Sequence, residues 1–255
     1  MSDGIWSALS GAVGQMAVLD TAANNIANAS TAGFRADRPM FKEILSRASP
    51  ARGPGPGAPA AQGQWRNVRY SAVDAVSPDM TPGAISQTGR PLDVALRGDG
   101  MFVVKTPNGE RYTRVGNVRI ATDGTLTTND GYAYLGTDKR PIKVAPTSTD
   151  AAIAPDGTVK AGGAVVGTLQ VVSFQKPGEL QKAEPALFQA TVKSGTPKPI
   201  APLLEPGSIE GSNVSAVKGM VELIGATRGF EACQSVIQAF KEADQRAAMA
   251  LMSNT

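Results

Sequence analysis

Two apolar lines of heptad period, one at each end of the chain, constrain its fold more than anything between them. From Leu223, apolar or small residues recur at steps of three and four: Leu223, Ala226, Phe230, Cys233, Ile237 and Phe240, then Ala247 and Leu251 beyond an interruption at Asp244. Near the N-terminus, Ile5, Leu9, Ala12, Met16, Leu19, Ala23 and Ile26 repeat the same step. An α-helix brings such positions onto one side, because 3.6 residues per turn alternates threes and fours. A sustained line of this kind is the seam of a coiled-coil-like pair. A helix over 215–252 would run about 55 Å at ~1.5 Å per residue and wants a partner along its length. The two seams are therefore expected to pack on each other or on copies from neighbouring subunits. That design suits an assembly protein better than a catalyst.

Between the seams the pattern changes. Residues 49–63, SPARGPGPGAPAAQG, are rich in proline and glycine and are expected to form a surface loop or linker. From about 64 to 206 the period becomes two, with strand-like runs at 92–96, 101–104, 118–120 and 169–172. Asn108-Gly109, Asp123-Gly124, Asp130-Gly131, Asp156-Gly157 and Gly162-Gly163 punctuate them, and such pairs supply the positive φ of tight hairpin turns. The expected fold is α+β: terminal helices as a coiled-coil-like pair with an inserted antiparallel β-rich domain. Its expected divisions are an N-terminal helical segment 1–35, an extended segment and loop 36–63, a β domain 64–206 and a C-terminal helix 207–255.

Composition removes several function classes. The 255 residues include no histidine, the commonest general base and metal ligand, and one cysteine, too few for an internal disulfide or thiolate cluster. Cys233 stands on the C-terminal seam and reads as a small apolar residue. Net charge is only +3 and the basic residues are scattered, which argues against nucleic acid as partner. No apolar run reaches the ~18 residues of a membrane span, and residues 1–20 lack the basic start and apolar core of a cleavable signal peptide. Asp99, between Gly98 and Gly100, could pose as a catalytic carboxylate but reads better as part of a tight turn. Asp123, Asp130 and Asp156 lack the oxygen-ligand set of a calcium loop. No catalytic residue, cofactor site or metal site is expected.

Three motifs in order resemble one family, the axial proteins of the bacterial flagellar hook and basal-body rod. The run from Leu19 to Arg35, LDTAANNIANASTAGFR, is similar to the family's rod signature. Leu92 to Phe102, LDVALRGDGMF, resembles its central motif, although Met101 stands where an aromatic is usual. Gly211-Ser212-Asn213-Val214, then Met220 to Ile224 and Arg228 to Glu231, resemble its closing helix. Chain length and the divergent start favour the proximal of the two mid-sized rod members over the distal one.

The resemblance implies a structural subunit that polymerises through its terminal helices into a torque-transmitting tube. It implies copies of the same chain and other rod proteins as partners, with delivery by the flagellar type III export apparatus to the periplasmic rod. The subunit interface would carry the two seams together with Asn24, Asn25 and Asn28, whose amides can bond neighbouring helices or backbone. A secreted β-domain binding module or assembly chaperone is the competing reading, and an enzyme the remaining one. Matched terminal seams discriminate, since a soluble module has no use for them.

Overall fold

The computed structural model describes residues 2–47, 67–145 and 150–252, so the Pro/Gly-rich stretch 49–63 lies outside them. The chain forms two compact units. One comprises Met1–Ala23, Pro39–Val76 and Val217–Thr255, and the other Asn24–Arg38 and Ser77–Ala216. The architecture is α+β, with a helix at each end and a β-rich middle.

The first unit is built from parts of α1 (Ser2–Ala27), β1 (Asp37–Arg47), β2 (Asn67–Pro78) and α2 (Ala216–Met252). The 37 residues of α2 correspond to about 55 Å of helix, the length anticipated from the seam. Strands β1 and β2 pair into a two-stranded ribbon that leaves Met40, Phe41 and Val76 about half exposed.

The second unit holds the β domain. Here β3 (Ile85–Gln87) pairs with Ser208–Glu210, and β4 (Val94–Leu96) with Leu204–Pro206. The principal sheet centres on β5 (Met101–Thr106) and β6 (Gly109–Thr113), joined at Asn108-Gly109 with Gly109 at φ +103°. Beyond β6 lie Leu187–Gln189 and Gln181–Glu184. Beyond β5 lie Ala133–Tyr134, Leu126–Thr127 and Arg119–Ile120. All these pairings are antiparallel. A separate three-stranded sheet joins Ala152–Ile153, Thr158–Ala161 and Ala164–Thr168, its last hairpin turning on Gly162-Gly163.

The continuous apolar run of β5 has a simple cause. Side chains alternate across a strand, and both faces of this one are covered. Phe102 and Val104 join a core with Val94, Leu126, Tyr134 and Leu169, while Met101 and Val103 join a second with Tyr112, Leu180 and Phe188. Phe102 and Tyr134 meet edge to face at 6.0 Å, and the Tyr134 hydroxyl donates to the Val115 carbonyl at 2.9 Å. Burial raises the Tyr134 phenol pKa far above its ordinary value.

Candidate assembly surface and buried charge node

Helix α2 carries its apolar line on its covered side. Ala226 is buried, and Leu223, Phe230, Cys233, Ile237 and Phe240 are half-buried, whereas the residues between them are mostly exposed. Ala247 and Leu251 fall within the helix, but their side chains lie outside the described ones. What α2 meets is α1. A methyl built on Gly4 would fall 2.5 Å from the Phe240 ring, one on Gly11 3.3 Å from Cys233 Sγ, and one on Gly229 2.9 Å from the Gln15 amide carbon. As the α1 number rises from 4 to 15, its partner in α2 falls from 240 to 229. The helices therefore run in opposite directions along this contact. Glycine at 4 and 11 lets the backbone of α1 come close to the larger Phe240 and Cys233 side chains.

The line on α1 lies differently. Ala12 is buried and Ile5, Leu19 and Ile26 are half-buried, but Leu9, Met16 and Ala23 are exposed. The helix keeps Gly4, Gly11 and Gln15 toward α2. This leaves Trp6 61% exposed, Leu9 42%, Val13 56% and Met16 55%. Those four residues form their own three-four-three line, of which the seam read from the sequence held Leu9 and Met16 but not Trp6 and Val13. The signal was there: apolar residues at 5, 6, 9, 12, 13 and 16 span more of the helix than one seam needs. On α2, Val217, Met220, Val221 and Ile224 are likewise more than half exposed.

The turn after α1 is a dense polar construction within the second unit. Asn25 is buried, and its amide grips the Asp37 backbone twice, donating to the carbonyl at 2.9 Å and accepting from the N–H at 2.8 Å. Asn28 donates to the Asn24 carbonyl, satisfying a helix-end acceptor. Asn24 itself is exposed. Gly33 sits at φ +68°, and a side chain there would strike the Arg114 backbone at 2.6 Å. Phe34 is fully buried with the Lys182 ammonium 3.8 Å from its ring centroid. Burial lowers the Lys182 pKa, while Asp37, 2.9 Å away, works against that shift.

Behind this turn lies a charge node. Glu210 is 1% exposed; its Oε1 accepts from Arg35 at 2.6 Å and from the Gly83 N–H at 3.0 Å, and its Oε2 from Arg114 at 3.3 Å. Arg114 also donates to the carbonyls of Leu96 and Gly98. Burial lowers the Arg114 pKa, Glu210 opposes the drop, and Arg35 adds to it. Asn213 accepts from the Ala36 N–H and donates to the carbonyls of Asp79 and Thr81. Arg35 and Glu210 are 175 positions apart, so one sequence alone could not have paired them.

The remaining polar motif residues have local partners. Asp93 is buried and takes Arg90 bidentately at 2.8 Å on each oxygen, with the Thr88 hydroxyl at 2.7 Å. Asp99 is exposed between two glycines of positive φ. Asp123 and Asp156 accept from the N–H groups of Thr125 and Thr158, closing their own turns. Among the described residues no group of three His, Cys, Asp or Glu side chains could hold a metal ion, and no helix is long and apolar enough to cross a membrane.

The comparisons with known proteins fall on these same segments. Residues 7–35, comprising most of α1 and the turn, match the flagella basal body rod protein family. Residues 95–161 match the flagellar hook protein FlgE/F/G D1 domain, and residues 205–250 match the flagellar basal body rod FlgEFG protein C-terminal region. The flagellar basal-body rod protein FlgF of Salmonella typhimurium is 34% identical over 97% of both chains. This chain belongs to the flagellar basal-body rod family. The FlgF of Escherichia coli is 33% identical over 97% of both chains, and the FlgG of Bacillus subtilis 32% identical over 91% of this chain and 93% of its own. Near-equal identity to both places this rod-family chain at the level of F or G. It is a structural subunit of the flagellar rod.

Proposed function

We propose that the chain polymerises through its terminal helices, and that the stack of subunits so formed is the shaft that carries motor torque. The exposed line Trp6, Leu9, Val13 and Met16 carries this reading. Apolar side chains aligned on one helix face are the usual mark of a protein-contact surface. Each contributes roughly 1.5–3 kcal/mol when fully buried, so four would bind a sister helix appreciably. Val217, Met220, Val221 and Ile224 on α2 offer a second surface of the same chemistry. Two different surfaces joined head to tail without closing a ring generate a helical filament.

In this reading α1 and α2 form a coiled-coil-like pair within the subunit. The outward residues of the N-terminal seam, Leu9, Met16 and Ala23, face neighbours, while Ala12, Ala226, Phe230 and Cys233 hold the pair together. The partners are copies of the chain and other rod proteins. Delivery by the flagellar type III export apparatus to a periplasmic rod follows from family membership as an expectation.

The double variant Leu9→Asp/Met16→Asp tests the proposal. Expressed in place of the native chain, it is expected to abolish motility and to be absent from isolated basal bodies, while the purified full-length variant keeps the near-UV circular dichroism of the native chain. Normal basal bodies containing the variant would remove the stripe from the assembly contact.

A further inference from the structure

The two exposed apolar surfaces of the helical unit lie at different levels. The contacts Gly4–Phe240, Gly11–Cys233 and Gln15–Gly229 keep one antiparallel register, so the middle of the α1 stripe, between Leu9 and Val13, stands level with Cys233. The α2 surface of Val217, Met220, Val221 and Ile224 is centred about 12 residues before Cys233, or about 18 Å along the helix at ~1.5 Å per residue. Both surfaces also point away from the helix pair. At roughly 100° per residue, the α1 stripe lies about 160° around its helix from Gly4, Gly11 and Gln15. The α2 surface lies about 150° around from Gly229, Cys233 and Phe240 on the same measure. They therefore occupy opposite outer sides of the pair, and a subunit cannot cover one with the other.

Their chemistry is complementary. Residues 4–19 contain no charged side chain, and the stripe ends one turn beyond Met16 at the exposed Asp20. The first turn of α2 holds no acidic residue, and the partial positive charge of a helix N-terminus favours a carboxylate nearby.

We propose that the α1 stripe of one copy docks on the Val217–Ile224 surface of the next copy, with the two helices antiparallel and the copies displaced by about 18 Å along them. This rests on the reading that the terminal helices carry assembly, and adds which face meets which. In that register Leu9 packs on Val221 and Ile224, Val13 on Val217 and Met220, and Asp20 approaches the start of α2. Four such side chains expose on the order of 400 Å², about half of the ~800 Å² per partner in a stable pair, so one contact does not hold a dimer and each copy needs both. Stripe against stripe would leave both α2 surfaces uncovered and stop at two copies.

The test is disulfide cross-linking in basal bodies isolated from cells in which cysteine variants replace the native chain. Leu9→Cys and Val221→Cys are placed on separate, co-expressed chains; both replace exposed residues, so folding is kept. Leu9→Cys with Val236→Cys is the reference, because Val236 is 46% exposed and stands level with Leu9 within one subunit. The native chain, carrying Cys233 alone, gives the background. After mild oxidation the first combination should yield a covalent dimer at least tenfold more abundant than either the reference or Leu9→Cys by itself. Asp20→Lys on the Leu9→Cys chain should reduce that dimer several-fold, and Asp20→Asn should reduce it less. An equal dimer from Leu9→Cys by itself would show stripe meeting stripe, and an equal one from the reference would show subunits side by side without displacement. An adduct of another mass would make a different rod protein the occupant, and basal bodies that contain both variants without any dimer would mean that the copies meet elsewhere. Each of these four results overturns the pairing and leaves polymerisation standing, whereas normal basal bodies built from the Leu9→Asp/Met16→Asp chain would remove the stripe from assembly altogether.

Discussion

The helical unit and the β unit handle apolar surface in opposite ways. In the β unit, large apolar residues such as Phe102, Phe188, Leu126 and Tyr134 are fully buried, and even its charged groups Arg35 and Glu210 are enclosed. In the helical unit, Ala226 of α2 and two alanines of α1, Ala12 and Ala22, are the apolar residues that reach full burial among those described, while Trp6, Val13, Met16, Val217 and Val221 stand more than half exposed. One unit buries its largest side chains in a packed core, with Val165, Val192 and Leu203 left exposed at scattered surface positions, and the other leaves aligned apolar residues open along its helices. The proposed stacking calls for both kinds of surface, and here they occupy different stretches of one chain.

The sharpest way to break this contrast is to damage the closed unit at its node. Glu210→Ala would leave Arg35 and Arg114 buried without their common carboxylate, and breaking a buried ion pair costs about 3–5 kcal/mol. Urea unfolding followed by Tyr fluorescence in the β unit should show that loss. A cost below ~1 kcal/mol would mean that the node is open to water. Phe102→Ala should be comparable at about 3–5 kcal/mol, because an empty site at the sheet centre cannot collapse between two packed faces. Asn213→Ala comes next. It removes the acceptor of the Ala36 N–H and the donor to Asp79 and Thr81, so about 1–3 kcal/mol is expected.

Local periodicity made the helices and strands legible, because each pattern lies within one element. The apolar line from Leu223 to Phe240 coincides with the covered side of α2, and the runs at 101–104 and 169–172 fall on or beside the paired strands β5 and Val171–Ser173. The α1 line was legible only as a helix. Apolar residues at both 5 and 6, and at both 12 and 13, allow two lines, and it is the glycines at 4 and 11 that turn one side toward α2. Small residues mark a close approach by what they lack, which a count of apolar positions overlooks. Asn25 was read as an interface amide able to bond a neighbouring helix or backbone; it bonds the Asp37 backbone at the turn into β1, and that partner depends on where Asp37 returns in space. The Arg35–Glu210–Arg114 node was not legible at all. Its members come from three distant segments, and no spacing rule connects them.

The open unit predicts the converse of the node. Val13→Ser on α1 should change monomer stability by no more than ~0.5 kcal/mol, since the side chain is 56% exposed and has little burial to lose. Thermal unfolding of dilute monomer checks this. A drop of several degrees would show that the stripe is already covered within the subunit.

The smallest expected effect lies at the surface of the closed unit and appears only in acid. Burial pushes the Asp79 carboxyl up, but the Thr81 N–H and hydroxyl and the Arg38 guanidinium outweigh it, so the net shift is downward. A carboxylate held low in the folded state binds protons less readily there than in the unfolded chain. Its contribution is therefore complete above the ordinary carboxylate range and fades as pH falls through the depressed folded value. Arg38 is well exposed, so the ion pair at 2.6 Å adds about 0–1 kcal/mol. Asp79→Asn should accordingly lower Tm slightly at neutral pH and not at all below that range. A difference between wild type and variant that persists unchanged into strong acid would mean that Asp79 acts by shape, through its hydrogen bond with Thr81, and not by charge.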